Sequence, residues 1–298
     1  MLSGRPLVAD FTLGIPSMDI LKILVLSIVQ GAAELLPVSS SAHVIVVEKI
    51  MGLDPTTPSM TLLLVMLHTG TMFAVIAYFW TEWRAAYFSS LSSTFENGRF
   101  LFYATLATGI VGLSLQAAIK YVVGHNSPDF EIESLFGNSK LMAAALAAAG
   151  LLIIFSSLSK AKPEGGLSNV RVFTIGAIQG LCLPFRGFSR SGATISTGLA
   201  LGVARRRAEE FSFALAVVLT PAVIVKEIYR LYKHQTLAFA PGSHGLFHLL
   251  TPGLIGMVFS FMAGLLALRW LSRWLENGRW YFFGAYCLVA SPVVLWLG

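Results

Sequence analysis

Charged side chains are scarce in this chain, because Asp, Glu, Lys and Arg together make up 12% of its 298 residues, whereas soluble domains carry about 25%. Cysteine is nearly absent too. The two that occur, Cys182 and Cys287, lie in apolar segments, so they indicate neither a disulfide framework nor a metal cluster. Apolar residues account for 55% of the chain, and they fall in runs long enough to predict a membrane-embedded protein.

The charge that is present does not point to nucleic acid. The net charge is +6, which in a membrane protein reflects loop composition and contact with anionic lipids. Basic runs interleaved with aromatic residues, which nucleic-acid-binding proteins use, are missing. We therefore expect membrane lipids as partners and no nucleic acid. Residues 1–19 lack the pattern of a cleaved signal peptide, so none is expected.

Two apolar segments, 20–52 and 170–203, are interrupted by proline and polar residues, at 37–40 and at 184–189. Proline ends a helix, and serine suits the N-cap of the next one. Each segment is therefore predicted to form a re-entrant hairpin that enters the membrane and returns to the same side. Six uninterrupted segments are long enough to span a bilayer: 60–80, 101–121, 140–158, 210–229, 246–269 and 280–297.

The two interrupted segments resemble each other, since Gln30 recurs as Gln179 and Ser40 as Ser189, half a chain length further on. Each half of the chain holds one hairpin and three spans. Because three is odd, the second half must cross the membrane in the opposite orientation.

The predicted fold is therefore an all-α polytopic membrane protein, a single integral membrane domain over residues 1–298. It consists of an inverted-topology repeat with six transmembrane helices and two re-entrant helix hairpins. Repeat one covers about 20–158 and repeat two about 170–297.

The balance of basic residues between the loops predicts the orientation. Apart from Arg186 and Arg190, Lys and Arg number 11 on the side that contains 80–100, 159–209 and 270–279, and 8 on the other side. By the positive-inside rule, this weak bias places both termini outside the cytoplasm.

The first hairpin contains groups that suit catalysis. Glu34 lies between apolar flanks, where a carboxylate is costly and is by default a functional candidate. Ser39, Ser40 and Ser41 stand where a half-helix should begin, and the N-terminus of a helix binds anions. His43 follows Ser40 by three residues and would share its helix face. The pair is either a nucleophile with its base, or a capping serine and a core histidine.

The second hairpin places Ser189, Arg190 and Ser191 at the equivalent positions, with Thr194 one turn further on. The planar guanidinium of Arg190 suits phosphate oxygens or a carboxylate. It could also serve to neutralise Glu34, which would leave the hydroxyls of both hairpins unexplained. Together the hairpins predict an anion pocket for phosphate or pyrophosphate, and phosphoryl transfer depends on positioning and charge stabilisation.

Segment 30–43 reads Gln-Gly-Ala-Ala-Glu-Leu-Leu-Pro-Val-Ser-Ser-Ser-Ala-His, and segment 187–194 reads Gly-Phe-Ser-Arg-Ser-Gly-Ala-Thr. These resemble the two signatures of the bacterial undecaprenyl-diphosphate phosphatase (bacitracin-resistance protein) family. Segments 202–205 and 210–213 also fit, and the resemblance covers essentially the whole chain. It implies hydrolysis of undecaprenyl diphosphate to undecaprenyl phosphate and inorganic phosphate, which recycles the carrier lipid for cell-wall synthesis.

The resemblance also implies roles for single residues. Ser40 would be the nucleophile, His43 its base, and Arg190 the ligand of the diphosphate, while Glu34 would orient His43 or help to hold a divalent cation. The expected location is the bacterial inner membrane, with the site open to the periplasmic side. Further substrate-binding groups would come from Ser39, Ser41, Ser189, Ser191, Thr194 and Arg186.

The family uses Mg²⁺ or Ca²⁺, and here only Gln30 and Glu34 offer oxygen ligands beside the substrate phosphates. The chain departs from the family pattern twice. Gln30 stands where many members have glutamate, and Arg186-Gly187 replaces the usual Pro-Gly. Arg186 either adds a second phosphate contact or faces the membrane interface.

A competing function is transport or flipping of a polyprenyl phosphate, alone or together with hydrolysis, because inverted repeats with broken helices are also transporter architecture. The Ser40, His43 and Glu34 constellation favours the enzyme. A homodimer is left open. His68, in the first predicted span, falls close to the repeat equivalent of Thr220. It either lines the cavity or is a histidine satisfied within its span.

Overall fold

The computed structural model describes residues 19–54, 57–124, 135, 138–158, 165–233 and 243–297. All regular secondary structure in these ranges is helical, as predicted. The helices are α1 (Ile20–Leu35), α2 (Ser40–Ile50), α3 (Pro58–Tyr87), α4 (Leu91–Val122), α5 (Ser139–Ser157), α6 (Asn169–Cys182), α7 (Arg190–Ala200), α8 (Arg205–Lys233), α9 (Ser243–Glu276) and α10 (Tyr281–Leu297).

Four of these helices have described segments long and apolar enough to cross a membrane. The chain is therefore a polytopic membrane protein. The other two predicted spans also lie in helices: 210–229 falls within α8, and 280–297 coincides with α10, an apolar helix of 17 residues. The four segments are Met60–Tyr87, Leu91–Val122, Ser139–Ser157 and Leu250–Glu276.

Four helices, α3, α4, α8 and α9, extend beyond the predicted spans, because hydropathy detects only the apolar part of a helix. The clearest case is α4, which begins at Leu91 rather than at 101. The side chain of Ser90 caps it by accepting a 3.1 Å hydrogen bond from the backbone N–H of Ser93. A polar first turn of this kind is stabilised by its cap and needs no apolar residues.

Both predicted interruptions are present. The first separates α1 from α2 around Pro37, and the second separates α6 from α7 between Cys182 and Arg190. Serine occupies the N-cap position in each case, but only Ser189 caps with its side chain, accepting from the backbone N–H of Gly192 at 3.2 Å. The backbone of Ser39 instead adopts a left-handed φ of 67°.

Glycines hold the first helix of each interrupted segment against a long helix of the other half of the chain. A methyl group added at Gly31 in α1 would lie 2.6 Å from the carbonyl oxygen of Ser260 in α9. One added at Gly176 in α6 would lie 2.1 Å from the carbonyl oxygen of Ala104 in α4. Small residues allow such close approach between membrane helices, so α1 packs tightly on α9 and α6 on α4.

An ionic cluster links α3, α8 and α9. Arg206 pairs with Glu82 of α3 and lies 3.5 Å from Glu209 and 3.4 Å from Glu210 on its own helix. Glu209 is fully buried and accepts a hydrogen bond from Ser272 of α9. Because buried carboxylates are costly unless paired, the cluster fixes how these three helices pack.

The close contact between α6 and α4 gives a test of the fold. Gly176→Ala should lower the free energy of unfolding by about 1–3 kcal/mol, because the added methyl group overlaps backbone atoms of α4. The midpoint of thermal unfolding in detergent measures the effect.

Gly109→Ala is the matched control, because an added methyl group there has no atom within 4 Å. It should be neutral or slightly stabilising, since alanine favours a helix over glycine. Equal midpoints for the two variants would contradict the close packing of α4 and α6.

Candidate active site

Glu34, near the end of α1, bonds to several of the polar groups of the candidate site. Its carboxylate accepts hydrogen bonds from the hydroxyl of Ser40 at 2.6 Å and from Nη2 of Arg190 at 2.8 Å. It also accepts from the side-chain amide of Gln30 at 3.2 Å. Nε2 of His68 lies 3.6 Å from the same carboxylate. The side chain of Glu34 is only 15% exposed, so these partners stabilise a charge that is largely removed from solvent.

A cavity of about 140 Å³ lies between the two breaks. Both hairpins contribute hydroxyls, and the second contributes two guanidinium groups, so the predicted convergence of the two signatures is present. The lining residues are Ala33, Glu34, Ser39, Ser40, Ser41, Cys182, Phe185, Arg186, Phe188, Ser189, Arg190 and Ser191.

The serines form matching pairs on the two sides of this cavity. The hydroxyls of Ser39 and Ser41 are 3.3 Å apart, and those of Ser189 and Ser191 are 3.5 Å apart. Ser191 also donates to the carbonyl oxygen of Leu36 at 3.4 Å, which joins the two hairpins directly. The N-termini of α2 and α7 therefore open onto one polar space that suits an anion.

His43 is placed differently from the sequence-based prediction. Its Nδ1 lies 2.7 Å from the carbonyl oxygen of Ser39, and its Nε2 lies 2.6 Å from the hydroxyl of Tyr286. Because a carbonyl can only accept, Nδ1 carries the proton and Nε2 of the neutral ring accepts from Tyr286. Both nitrogens are thus engaged, and the Ser40 hydroxyl donates to Glu34 instead.

Ser40 and His43 do not pair because their side chains point in different directions. Ser40 is the first residue of α2, and its hydroxyl reaches back to the end of α1. His43 lies one turn later and stacks on Tyr286 of α10, with ring centroids 5.6 Å apart. A spacing of three residues places two side chains on the same face, but it does not make them meet.

Tyr286 was missed by the sequence analysis. The signal that could have found it is a tyrosine hydroxyl within the apolar helix α10, since a partly buried hydroxyl generally finds a partner. Its contact with His43 holds the ring that bonds to Ser39. Ser39 needs support, because a non-glycine residue in a left-handed conformation costs about 1–3 kcal/mol.

His68 lines a second, smaller cavity of about 20 Å³ beside Glu34 and Arg190, together with Thr220. Its Nδ1 lies 2.8 Å from the carbonyl oxygen of Leu64, so Nδ1 carries the proton. Both alternatives left open by the sequence are therefore present in part: His68 lines a cavity beside the site, and its Nδ1 is satisfied within its own helix, α3.

Thr194 holds the backbone of Arg190 in place. Its hydroxyl lies 2.8 Å from the carbonyl oxygen of Arg190 and 2.5 Å from the hydroxyl of Ser212. The predicted substrate donor is thus engaged with the backbone of the arginine beside it and with α8. It fixes the first turn of α7.

Arg186 lies in the wall of the larger cavity, on a tight turn. The backbone N–H of Phe188 donates to the carbonyl oxygen of Phe185 at 3.2 Å, and Gly187 has a φ of 102°. This is the pattern of a type II turn, in which the third residue needs positive φ and the second position favours proline. Arg186 therefore occupies the second position of this turn.

The donor set does not fit a dedicated divalent-cation site. Gln30 points an N–H at Glu34, and Glu34 already accepts from three donors. The larger cavity is lined by one carboxylate and two guanidinium groups, whereas Mg²⁺ and Ca²⁺ need oxygen ligands. Across the described residues, no group of three or more His, Cys, Asp or Glu is placed to hold a metal.

Fold and site together define an integral membrane protein with a cavity lined by hydroxyl and guanidinium groups between two broken helices. The chain belongs to the family of the bacitracin resistance protein BacA, whose model matches residues 23–293.

Three curated relatives illustrate this membership. Undecaprenyl-diphosphatase 2 of Acinetobacter baylyi is 60% identical over 281 residues, covering 94% of this chain and 99% of the relative. Undecaprenyl-diphosphatase 1 of Burkholderia pseudomallei is 34% identical, with coverage of 89% and 92%. Undecaprenyl-diphosphatase of Korarchaeum cryptofilum is 30% identical, with coverage of 93% and 99%.

The bond between Glu34 and Arg190 can be tested by a double-mutant cycle. Arg190→Ala should destabilise the protein, because it leaves the carboxylate without its charged partner. Glu34→Ala/Arg190→Ala should then cost less than the sum of the single variants, with a coupling of about 1–3 kcal/mol. Thermal unfolding in detergent measures all three, and Arg84→Ala, an exposed arginine, serves as the control. Additive effects would contradict a direct pair.

Proposed function

We propose that this protein hydrolyses undecaprenyl diphosphate to undecaprenyl phosphate and inorganic phosphate, and so recycles the carrier lipid of cell-wall synthesis. Membership of the family and the 60% identity to a protein named undecaprenyl-diphosphatase 2 support the substrate. One observation carries the chemistry. The hydroxyl of Ser40, at the N-terminus of α2, donates at 2.6 Å to the carboxylate of Glu34, which is paired with Arg190.

In this mechanism the oxygen of Ser40 attacks the terminal phosphorus, and Glu34 takes the hydroxyl proton. The bond between that phosphorus and the bridging oxygen breaks, and undecaprenyl phosphate leaves. Water then attacks the phosphoserine, and Glu34 returns the proton to Ser40 as the phosphorus–serine bond breaks. The hydrogens of the water stay with the released phosphate.

The remaining residues stabilise charge or hold geometry. Arg190 binds the phosphoryl oxygens, and the N-termini of α2 and α7 add backbone N–H groups toward the same space. Hydroxyls on both sides of the cavity add further donors. His43 and Tyr286 act by holding the carbonyl group of Ser39, and Thr194 acts by holding Arg190. The donating hydroxyls are those of Ser39, Ser41, Ser189 and Ser191.

We also propose that the architecture is an inverted-topology repeat over about 20–158 and 170–297, with two re-entrant hairpins and six spans. The packing supports it, because α1 lies on α9 while its repeat equivalent α6 lies on α4. The glycines at these contacts correspond as well: Gly31 meets α9, and Gly180 meets α4 at the carbonyl oxygen of Thr108.

The proposed location is the bacterial inner membrane, with the termini and the mouth of the site on the periplasmic side. The bias of basic residues toward the opposite loops supports this orientation. Transport of a polyprenyl phosphate is the less favoured function. A transporter only needs to bind the anion, so transport would leave the bond between Ser40 and Glu34 without a role. A homodimer remains a prediction.

The nucleophile is tested by phosphate release from undecaprenyl diphosphate by purified protein in detergent. Ser40→Ala should lower turnover by at least about 10³-fold, as expected when a covalent nucleophile is lost. Ser27→Ala is the control, because that hydroxyl donates to the carbonyl oxygen of Ile23 within α1, and it should keep normal turnover. Near-normal turnover by a folded Ser40→Ala would contradict the mechanism.

The division of labour between Glu34 and His43 is tested in the same assay. Glu34→Gln should lose about 10²–10⁴-fold, because it removes the proton acceptor. His43→Asn can still donate a hydrogen bond to Ser39 and should keep at least about a tenth of the activity, whereas His43→Ala should lose more. If His43→Asn were as inactive as Ser40→Ala, His43 would be the base and Glu34 would not.

A further inference from the structure

His68 of α3 approaches the carboxylate of Glu34 from a different cavity than Ser40 does. Glu34 and Arg190 line both cavities of the site, whereas Ser40 lines the larger one and His68 the smaller one. The smaller cavity measures about 20 Å³, which leaves room for a single water molecule and none for a phosphate group. His68 is therefore separated from the space proposed for the substrate, and its effect on the reaction must pass through Glu34 or Arg190.

The two oxygens of Glu34 have different partners. Nη2 of Arg190 donates to Oε1 at 2.8 Å, whereas Ser40 donates to Oε2 at 2.6 Å and Gln30 donates to Oε2 at 3.2 Å. Nε2 of His68 also faces Oε2, at 3.6 Å. A proton that leaves Ser40 therefore arrives on the oxygen that His68 faces, while the guanidinium group stays on the other oxygen.

His68 faces this oxygen with a lone pair. Its Nδ1 lies 2.8 Å from the carbonyl oxygen of Leu64, one turn earlier in α3, and so carries the proton of the ring. In the neutral ring, the other nitrogen can only accept. Two acceptors thus point at each other. Their separation of 3.6 Å is longer than a hydrogen bond, as expected when no proton lies between them.

Transfer of the proton from Ser40 changes this contact. Once the serine oxygen is bonded to phosphorus, the proton lies on Oε2 of Glu34 and needs an acceptor. Among the described residues that face Oε2, Gln30 offers a donor and His68 offers an acceptor. A buried donor left without an acceptor is costly, and an approach of less than about 1 Å would bring Nε2 within hydrogen-bond distance.

We propose that His68 is a positioning residue for Glu34, and that it accepts a hydrogen bond from the protonated carboxyl group while Ser40 carries the phosphoryl group. The proton stays on Glu34 and returns to Ser40 when water releases the phosphate. This role of His68 rests on the proposed function, because it requires that Glu34 takes the proton of Ser40. The orientation of the ring rests on its contacts with Leu64 and Glu34 alone.

Phosphate release from undecaprenyl diphosphate by the purified protein in detergent tests this role. His68→Leu removes the acceptor and should lower kcat at least about tenfold, with KM changed less than about twofold, because His68 does not touch the substrate. His68→Gln places a carbonyl oxygen near the position of Nε2 and should keep at least about a third of kcat. Thr220→Val is the control. Thr220 lines the same cavity and donates to Ala216 within α8, so this variant should keep normal kcat.

A double-mutant cycle tests the contact without turnover. Glu34→Gln stands for the protonated state, because an amide, like a protonated carboxyl group, offers both a donor and an acceptor. In the Glu34→Gln background, His68→Leu should lower the midpoint of thermal unfolding by about 2–4 °C more than it does beside the native glutamate, because only the amide donates to His68. His68→Gln should restore most of that loss.

Equal kcat for His68→Leu and the unaltered protein, an equal loss in His68→Leu and His68→Gln, or equal thermal shifts in the two backgrounds would each overturn this role of His68. A larger shift beside the native glutamate would overturn it too, because His68 would then be a charged partner of Glu34 in the resting protein. If the unaltered protein releases no phosphate, the proposed function fails, and the thermal cycle still decides whether His68 accepts from a protonated Glu34.

Discussion

A carboxylate inside a membrane protein is tolerated only where other groups stabilise its charge, and Glu34 imposes that condition on this fold. Its arginine partner, Arg190, comes from the other half of the chain. The two broken helices must therefore meet, and each is seated against a long helix through a glycine contact that leaves no room for a methyl group. The same carboxylate is the acceptor for Ser40, so the group that joins the hairpins also bonds to the proposed nucleophile.

The geometry around Ser39 follows from this arrangement. For Ser40 to begin α2 with its hydroxyl directed back at Glu34, the preceding residue takes a left-handed conformation that costs free energy. His43 compensates by donating to the carbonyl oxygen of Ser39, and Tyr286 holds His43 from α10. A chain of contacts thus runs from α10 to Ser39, the residue before Ser40. The second hairpin needs no such support, because Ser189 caps α7 in the ordinary way.

Much of this could be predicted from the sequence, because proline, glycine and serine clusters in apolar segments have few structural interpretations. Both breaks lie where predicted, and eight of the predicted site residues line one cavity. The direction of side chains could not be predicted. The pairing of Ser40 with Glu34 rather than with His43 depends on the path of the backbone between two helices, which a spacing rule does not contain.

Contacts between side chains of distant helices could not be predicted from the sequence either. Tyr286 reaches His43 from a helix at the far end of the chain. Its hydroxyl in an apolar helix marks it as a candidate for a polar contact, but no local pattern identifies His43 as the partner. Arg186 was left open between phosphate contact and membrane interface, and only the tertiary structure places it in the cavity wall. What remained unpredicted is therefore tertiary: which helix contributes each partner, and at what angle.

The central claim is that Ser40 carries the phosphoryl group between the two steps of hydrolysis. Rapid acid quenching of the protein during turnover of undecaprenyl diphosphate labelled in its terminal phosphate, followed by mass spectrometry of the peptides, tests it most directly. We predict phosphate on Ser40, appearing within one turnover and lost as free phosphate is released. Phosphate on His43, or steady turnover with no labelled residue at any quench time, would contradict the account.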